Sequence, residues 1–374
     1  MKNINWNDKE EVLKLVQHEG LYLKFASKEL RNDKDVVMKA VQQNGMNLQY
    51  ASEKLRGDKD IVFSAVKSDG MALEFASDKL RNNKSITLAA IRQDGAALEY
   101  ASEKLRNNKK IVLSAIKQSE WALEFASDKL RNNKNIVMDA VRQYGHSLKY
   151  ASKELRNDKN VVMLAVQQDG FALAYASKKL CDNKEVVMTA VTQHGLALQY
   201  ASERLRNDKD VVMTAVTQSG LALSDASEEL RNDKETILTA VKHNGKVLEY
   251  VPEELRNDKE VVLNAVQQYG RALKFASEEL CNDKEVVLNA IQQDEWALAY
   301  VSKELQDDKE IALTALQNGS DVFIHVSPRL KQDQEVRKAA GLEPDIDTVL
   351  GDAKKWCQEH NDAPTAQPKF NIER

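Results

Sequence analysis

The chain has 374 residues, of which 42% are hydrophobic and 30% charged, with only five prolines and fourteen glycines. This composition is typical of a soluble, helix-rich protein with few loops. The formal net charge of −4 supplies no general basic field, which disfavours broad nucleic-acid binding. No stretch approaches the ~18 apolar residues of a membrane span, and the N-terminus lacks a signal-peptide pattern. We therefore expect neither membrane insertion nor conventional secretion.

A gapless repeat of 25 residues runs from about Asn7 to Leu330. Its leucine marker recurs at Leu30, Leu55, Leu80, Leu105, Leu130, Leu155, Leu180, Leu205, Leu230, Leu255, Leu280, Leu305 and Leu330. A glycine marks the other junction of most repeats, and Glu120 and Glu295 interrupt that glycine series. Because self-similarity at a fixed period indicates a repeat architecture, the period overrules a domain count based on length.

The phrase NDKDVVMKAVQQNG, residues 32–45, predicts the first helix of a repeat. From Val36 onward its apolar residues follow an i, i+1, i+4, i+5 pattern, which is one face of an amphipathic helix. Asn32 is the predicted N-cap, and Asp35 resembles a capping-box acid. Gly45 is predicted to end the helix in the left-handed conformation.

The following phrase MNLQYASEKL, residues 46–55, predicts a second helix of about ten residues. Leu48 and Leu55 would share one side of it. Helices this short are marginal in isolation, because the cost of nucleation is not recovered over so few hydrogen bonds. Each pair must therefore bury its apolar face against neighbouring pairs. These features predict an all-α fold, an α-solenoid of stacked helical hairpins.

The boundaries of the repeat define the predicted domain organisation. We predict an N-terminal half-repeat or cap over residues 1–20 and twelve tandem αα repeats over 21–320. A degenerate repeat with a C-terminal capping helix follows over 321–360, and a flexible tail over 361–374. Pro252 falls inside a predicted second helix, so we expect a kink or local opening there.

The phrases ALEYASEKLRNNK, LRNDKEVVLNAV and AVQQNG resemble the repeat family of bacterial and protist proteins known as domain of unknown function 4116. The resemblance covers residues 7–330. It implies no established activity and no catalytic motif. It also implies a setting, since such repeats are frequent in proteins of intracellular bacteria, including proteins delivered into host cells.

The sequence offers no recognisable catalytic, metal or cofactor site. The six histidines do not recur at the i, i+4 spacing of a helical metal pair, and a GxxxxGK phosphate loop is absent. The serine found in nearly every repeat is interpreted as a helix-packing residue, because a nucleophile would need a base of its own. Cys181, Cys281 and Cys357 are far apart, which favours reduced thiols and a cytoplasmic protein, or a host cytosol if a bacterium delivers it.

Two further series recur with the period. Glutamine recurs beside the apolar face of the first helix. We favour a ladder of hydrogen bonds between repeats over the alternative, a row of side chains that binds a ligand. Tyrosine or phenylalanine recurs in the second helix, where regular spacing favours core packing over a binding platform.

The position after the junction glycine varies most between repeats, and packing alone would demand the same residue in each. We therefore predict an exposed stripe with Met and aromatic anchors for a protein partner. The alternative is that these side chains pack against the neighbouring repeat. The predicted partner-binding residues are Met46, Met71, Trp121, His146, Phe171 and Trp296.

Charge is unevenly distributed. Residues 21–220 contain 32 basic and 24 acidic residues, a net charge of +8, whereas residues 221–320 contain 11 basic and 20 acidic residues, a net charge of −9. Such asymmetry favours steering of a partner or salt-sensitive self-association. Divergence of duplicated repeats is the alternative explanation.

The leading functional prediction is a non-enzymatic repeat scaffold that binds a protein partner, in the setting of a delivered bacterial effector or its modulator. One alternative is an enzyme or enzyme subunit with a site formed by non-repeated residues such as His146, His194 and Cys181. The other is a self-associating structural spacer.

Overall fold

The protein is described by a computed structural model that covers residues 4–342 together with Gly351 and Lys355. The predicted tail over 361–374 and most of the predicted capping helix lie outside these residues. The chain divides into two compact units, residues 1–227 and residues 228–374. We call them the first unit and the second unit.

A long α-helix opens each repeat. These helices are α1 (Lys9–His18), α2 (Lys34–Gln43), α3 (Lys59–Ser68), α4 (Lys84–Gln93), α5 (Lys109–Ile116), α6 (Lys134–Gln143), α7 (Lys159–Gln168), α8 (Lys184–Gln193), α9 (Lys209–Gln218), α10 (Lys234–His243), α11 (Lys259–Gln268), α12 (Lys284–Gln293), α13 (Lys309–Asn318) and α14 (Gln334–Ala339). Most have ten residues, and α5 has eight.

A 3₁₀ helix and then a short helical turn follow each long helix from α1 to α13. The 3₁₀ helices are Gly20–Phe25, Gly45–Tyr50, Gly70–Phe75, Gly95–Tyr100, Glu120–Leu123, Gly145–Tyr150, Gly170–Tyr175, Gly195–Tyr200, Gly220–Asp225, Gly245–Tyr250, Gly270–Phe275, Glu295–Tyr300 and Ser320–His325. The short turns are Leu30–Asn32, Glu53–Arg56, Asp78–Arg81, Glu103–Arg106, Asp128–Arg131, Leu155–Asn157, Lys178–Cys181, Glu203–Arg206, Glu228–Arg231, Glu253–Arg256, Leu280–Asn282, Leu305–Asp307 and Leu330–Gln332.

The predicted ten-residue second helix is therefore wrong, because it is divided in two. Ala51 and Ser52 have extended backbone, with ψ of 155° and 158°. The Ser52 side chain accepts a hydrogen bond from the Leu55 N–H and begins a new turn there. An N-cap serine satisfies an otherwise orphan donor, which favours a fresh helix start over continuation.

The core is continuous from repeat to repeat within each unit. In α3, Ile61, Val62, Ala65 and Val66 are fully buried, and the same four positions are buried in the other long helices from α2 to α13. Long helices of successive repeats pack side by side, as α2 does against α3, and the 3₁₀ helices pack against them. No strand occurs among the residues that the structure describes. The all-α solenoid is thus confirmed.

The phrase Arg31-Asn32-Asp33-Lys34 joins one repeat to the next. The N-cap of α2 is Asp33, whose Oδ1 accepts from the N–H groups of Asp35 and Val36 at 3.0 and 3.2 Å. The prediction of Asn32 as N-cap was wrong by one residue. Asn32 Oδ1 instead accepts from Ser52 Oγ at 2.6 Å. Since equivalent bonds recur, the serine is a cap and a bridge between repeats, in addition to being small.

Lys34 links the two repeats through ion pairs. Its Nζ lies 2.9 Å from Asp58 Oδ2 and 3.0 Å from Asp60 Oδ2, both in the next repeat. Partial burial by itself raises the pKa of the Asp58 carboxyl, but hydrogen bonds from Lys34 and from the Ile61 and Asp60 N–H groups outweigh it and lower the pKa. The same lysine-to-aspartate link recurs in both units.

The junction glycines serve close packing, and the predicted left-handed conformation at Gly45 was wrong. Among the described glycines, Gly341 alone has a positive φ. A Cβ on Gly45 would lie 2.2 Å from the carbonyl oxygen of Ala65 in the next long helix. Only a residue without a side chain permits that approach.

Pro252 does not kink a helix. It is the N-cap of the turn Glu253–Arg256, which has the same bounds as its counterparts in other repeats. The Leu255 and Arg256 N–H groups donate to the Pro252 carbonyl at 3.0 Å. The cost of the proline is local, because it lacks the N–H and the hydroxyl through which Ser52 and its equivalents join repeats.

Candidate functional site

The six predicted partner-binding residues occupy the same position, the second residue of a 3₁₀ helix. None is fully buried: Trp121 is 49% exposed, His146 is exposed, and the other four are half-buried. Because successive 3₁₀ helices of the first unit pack side by side, the five predicted residues there follow one edge. Trp296 lies in the second unit.

Apart from Phe125, the recurring tyrosines and phenylalanines also lie on the 3₁₀ helices. The prediction that they form core holds only in part: Tyr50, Phe75 and Tyr100 are partly buried and pack against the core. Phe25 is 53% and Tyr250 60% exposed, and most of the others are half-buried. They end the 3₁₀ helix beside an extended alanine or valine. That position places a ring at the edge of the core, with one face available to solvent.

Four rings from neighbouring repeats meet in a groove of about 310 Å³. We call it the aromatic groove, and its lining residues are Glu120, Trp121, His146, Ser147, Lys149, Tyr150 and Tyr175. The ring centroids of Trp121 and Tyr150 are 6.1 Å apart. Those of His146 and Tyr175 are 5.8 Å apart, edge to face. The groove thus unites two predicted residues with two tyrosines of the recurring aromatic series.

A break in the glycine series accompanies the groove. At Gly95, a Cβ would lie 2.6 Å from the Ala115 carbonyl oxygen, so the junction before Glu120 is tightly packed. Glu120 carries a side chain where glycine is the rule. Here α5 ends at Ile116, two residues earlier than its neighbours, and the 3₁₀ helix is only four residues long. The shortened elements lie next to Trp121, at one side of the groove.

The polar groups of the aromatic groove are engaged with their surroundings. Ser147 Oγ donates to the Glu120 carbonyl at 3.2 Å. Lys149 Nζ lies 5.4 Å from the centre of the Tyr150 ring, within cation–π range. Burial and a hydrogen bond to Glu124 raise the pKa of Tyr150 to about 12. The groove therefore offers fixed rings with charged groups at its rim.

We expect Tyr150 to be the tyrosine of the aromatic groove that titrates at unusually high pH. Its phenol should ionise about two pH units above an ordinary tyrosine near 10, and Glu124→Gln should lower its pKa because the anionic acceptor is lost. Tyrosine absorbance at high pH, compared with Tyr150→Phe, measures this. A Tyr150 pKa unchanged by Glu124→Gln would contradict the hydrogen bond.

The residues named for an enzymatic alternative only partly converge. His146 Nδ1 lies 2.5 Å from Asp169 Oδ2, and His194 Nδ1 lies 3.4 Å from Asp169 Oδ1. His194 Nδ1 also accepts from the Gly170 N–H at 3.2 Å. The Cys181 thiol contacts the Leu173 and Ala176 carbonyls of its own repeat, and burial raises its pKa, which disfavours the reactive thiolate.

No group of three or more metal-ligating side chains was found among the residues that the structure describes. Asp169 thus lies between histidines of the preceding and the following repeat, close to His146 on one side and to His194 on the other. These side chains can form hydrogen bonds and charge–charge interactions.

Trp296 has a comparable setting in the second unit. The Arg271 guanidinium lies 5.8 Å from its ring and Arg271 Nε lies 2.6 Å from Asp294 Oδ2. The His325 ring is 6.0 Å away. A glutamate, Glu295, again precedes the tryptophan in place of glycine.

The predicted glutamine bonding between repeats is confirmed for part of the series. The Nε2 atoms of Gln43, Gln143 and Gln218 donate to backbone carbonyls of the preceding repeat at 3.0–3.3 Å. The glutamines thus hold successive long helices in register.

Across the described part of the chain, no helix combines the length and hydropathy needed to span a membrane. No curated protein matches the chain. The family model described as Domain of unknown function (DUF4116) matches residues 8–56, 58–106, 108–156, 133–181, 183–231, 233–281, 258–306 and 283–331. Each match covers two 25-residue repeats, and overlapping matches are offset by one repeat. The chain therefore belongs to the domain of unknown function 4116 family.

Proposed function

We propose that this protein is a non-enzymatic repeat scaffold that binds another protein through the aromatic groove. The observation that carries the proposal is the 49% exposed Trp121 ring beside Tyr150 in an open groove. Tryptophan and tyrosine are the residues most enriched at the energetic centres of protein interfaces. When a partner covers an exposed tryptophan, apolar surface is removed from water, which contributes favourably to the free energy of binding.

The arrangement of the groove supports a protein ligand. Its rings come from successive repeats and are held by the packed 3₁₀ helices, so little side-chain entropy is lost on binding. Glu120 and Lys149 stand at the edge as charges of opposite sign, which can fix the register of a partner. Ser147, the one small hydroxyl in the groove, is directed at a backbone carbonyl, which favours binding over nucleophilic chemistry.

The setting is proposed to be intracellular, in the cytosol of the producing cell or of a host cell. Cys181 and Cys281 carry free thiols, and burial raises the pKa of both. Unpaired, unreactive thiols suit a reducing compartment.

Affinity capture followed by direct titration tests the function. Proteins retained from bacterial and host-cell extracts are identified by mass spectrometry, purified, and titrated against the native chain, Trp121→Ala and Leu221→Ala. Leu221 occupies the same position of another 3₁₀ helix in the first unit and is 40% exposed. We expect Trp121→Ala to weaken binding by about 10-fold or more, the effect of removing an interface anchor. Leu221→Ala should have little effect, and equal affinities of all three proteins would place the site elsewhere.

A further inference from the structure

A second surface of the first unit combines apolar and basic side chains. The fifth residue of each long helix lies at the surface of the core, and in α3, α4 and α5 these residues are Phe63, Leu88 and Leu113. Phe63 is 36% exposed, and the two leucines are half-buried. The three helices pack in succession, so the side chains form one apolar row across three repeats.

A recess of about 330 Å³ lies on this row between α3 and α4. Its lining residues are Phe63, Lys67, Ser85, Leu88, Ala89, Arg92 and Gln93. Ala89 leaves space beside Leu88, and Lys67 Nζ lies 5.1 Å from the centre of the Phe63 ring. We call the apolar row, this recess and the cations beside them the outer groove.

Cations occupy two helix positions beside the apolar row. Lys67 and Arg92 are exposed cations at the ninth position of α3 and α4, and Lys117, also exposed, is the C-cap of α5. The exposed cations at the first position of the three helices are Lys59, Lys84 and Lys109. Lys110 adds a further exposed charge. Within the described part of the chain, none of these seven cations forms an ion pair. The local field is therefore strongly positive, although the whole chain has a net charge of −4.

The missing ion pairs have an identifiable cause. In most other repeats the first lysine of a long helix binds the N-cap aspartate of the next repeat, as Lys34 binds Asp58. Lys159 faces the asparagine cap Asn183 and pairs with Glu185 instead. The N-caps after α3, α4 and α5 are asparagines instead: Asn83, Asn108 and Asn133. Asparagine keeps the cap but removes the anion, so three successive lysines lose that partner.

The second unit provides an internal comparison. In α11, α12 and α13 the apolar row is retained as Leu263, Leu288 and Leu313, but the ninth residues are the glutamines Gln267, Gln292 and Gln317. The first lysines of these helices each pair with an aspartate and a glutamate. The fold therefore does not require the cations without ion-pair partners that occur in the outer groove.

We propose that the outer groove binds an acidic amphipathic peptide segment of a partner protein, with apolar side chains on the Phe63 row and carboxylates opposite the lysines and Arg92. Two features favour a peptide. An apolar row suits the stripe of an amphipathic helix, whereas the backbone of a nucleic acid would meet the cations but has no apolar groups for Phe63 and Leu88. The recess accepts individual side chains, which a lipid surface does not present. This surface is separate from the aromatic groove and does not depend on it.

Fluorescence anisotropy with the full chain tests the proposal. The probe is a labelled peptide of about 18 residues with leucines on one helical face and glutamates elsewhere. Its control has the same composition in an order without a leucine face. We expect the first peptide alone to bind, with affinity falling as salt increases.

Charge-neutralising variants locate the site. Arg92→Gln with Lys117→Gln should weaken peptide binding about 10-fold, and Phe63→Ser should weaken it further. The matched control is Lys242→Gln with Lys274→Gln, which removes the same charge from exposed positions of the second unit and should leave binding nearly unchanged. Equal losses in both double variants would overturn the assignment, because they would indicate a general charge effect.

Two other probes complete the test. Vesicles containing phosphatidylserine and a short DNA duplex are titrated with the same variants. The peptide assignment would be overturned if the acidic peptide failed to bind while vesicles or DNA bound to the native chain and not to the Arg92→Gln, Lys117→Gln variant. Binding of the peptide alone, lost in that variant and retained in the control, would support it.

Discussion

Replacing Gly195 by alanine is expected to destabilise the first unit by about 2–3 kcal/mol. The new Cβ would lie 2.3 Å from the Ala215 carbonyl oxygen and 3.0 Å from the Ser219 nitrogen. Both are backbone atoms of the next repeat, so no side chain can rotate away and α9 itself must move. Urea denaturation followed by circular dichroism should show a lower midpoint, and hydrogen exchange should show reduced protection in the repeats that flank the substitution.

Gly57 provides the matched control. It is exposed and right-handed, with φ of −100° and ψ of −2°, and a Cβ there would lie 3.3 Å from its nearest neighbour, the Lys54 carbonyl oxygen. Other repeats carry asparagine at this position and use it to accept from serine. Gly57→Asn should therefore be neutral or stabilise by up to about 1 kcal/mol, by giving Ser77 an acceptor. Similar losses at both glycines would contradict close approach as the role of Gly195.

The repeat and its core could be predicted from the sequence because they depend on periodicity alone. The 25-residue spacing of Leu30 and its equivalents requires identical packing in each repeat. The i, i+1, i+4, i+5 pattern from Val36 identifies the four positions buried in the long helices. The short length of each helix then requires burial between repeats.

Local boundaries were less predictable because neighbouring residues offer competing caps. Asn32 and Asp33 are both good N-caps, and the pattern could not decide between them. The carboxylate prevails at Asp33, where it also receives Lys9 from the preceding repeat. Ser52 likewise satisfies the rules for an N-cap and for a small packing residue, so the break in the second helix was not apparent.

The candidate site was predictable where it departs from the repeat. Trp121 and His146 were identified by variation between repeats, and the structure places both in the aromatic groove. Tyr150 and Tyr175 were missed, because regular recurrence was taken as evidence of core. The sequence feature that could have located the groove is Glu120, which replaces glycine in the repeat where α5 and the following 3₁₀ helix are shortened.

The outer groove could not be seen from net charge, because charge summed over 200 residues conceals which lysines are neutralised. Lys34 and Lys84 look alike in the sequence, yet Lys34 faces the N-cap aspartate Asp58 of the next repeat, whereas Lys84 faces Asn108. Comparing each lysine with the residue 24 positions later would have found the difference, once the structure had shown that those two positions meet.

Acid is expected to weaken the protein as the pH falls below about 4. The structural cause is a set of N-cap carboxyls whose pKa is lowered: Asp33, Asp58, Asp158, Asp208, Asp258, Asp283, Asp308 and Asp333. At Asp258, partial burial raises the pKa, but hydrogen bonds from Lys234 and the Val261 N–H lower it by more. A carboxyl with a lower pKa in the folded than in the unfolded chain contributes its full stabilisation above the unfolded pKa of about 3.9, and loses it as pH falls through the folded pKa. Urea midpoints measured across this range should therefore fall with pH.

Asparagine substitutions in the second unit isolate the contribution of charge. Asp258→Asn, Asp283→Asn and Asp308→Asn together should keep the caps, as Asn83, Asn108 and Asn133 do in the first unit. They remove one lysine partner each, so at pH 6 the variant should be less stable by roughly 0.2–1 kcal/mol per site. Once the pH has fallen below the folded-state pKa of the native aspartates, they are protonated as well, and the two stability curves should converge. A difference in urea midpoint that stays constant from pH 6 to pH 2 would mean that the substitutions act through cap geometry, and that the lysine links contribute little to the stability of the stack.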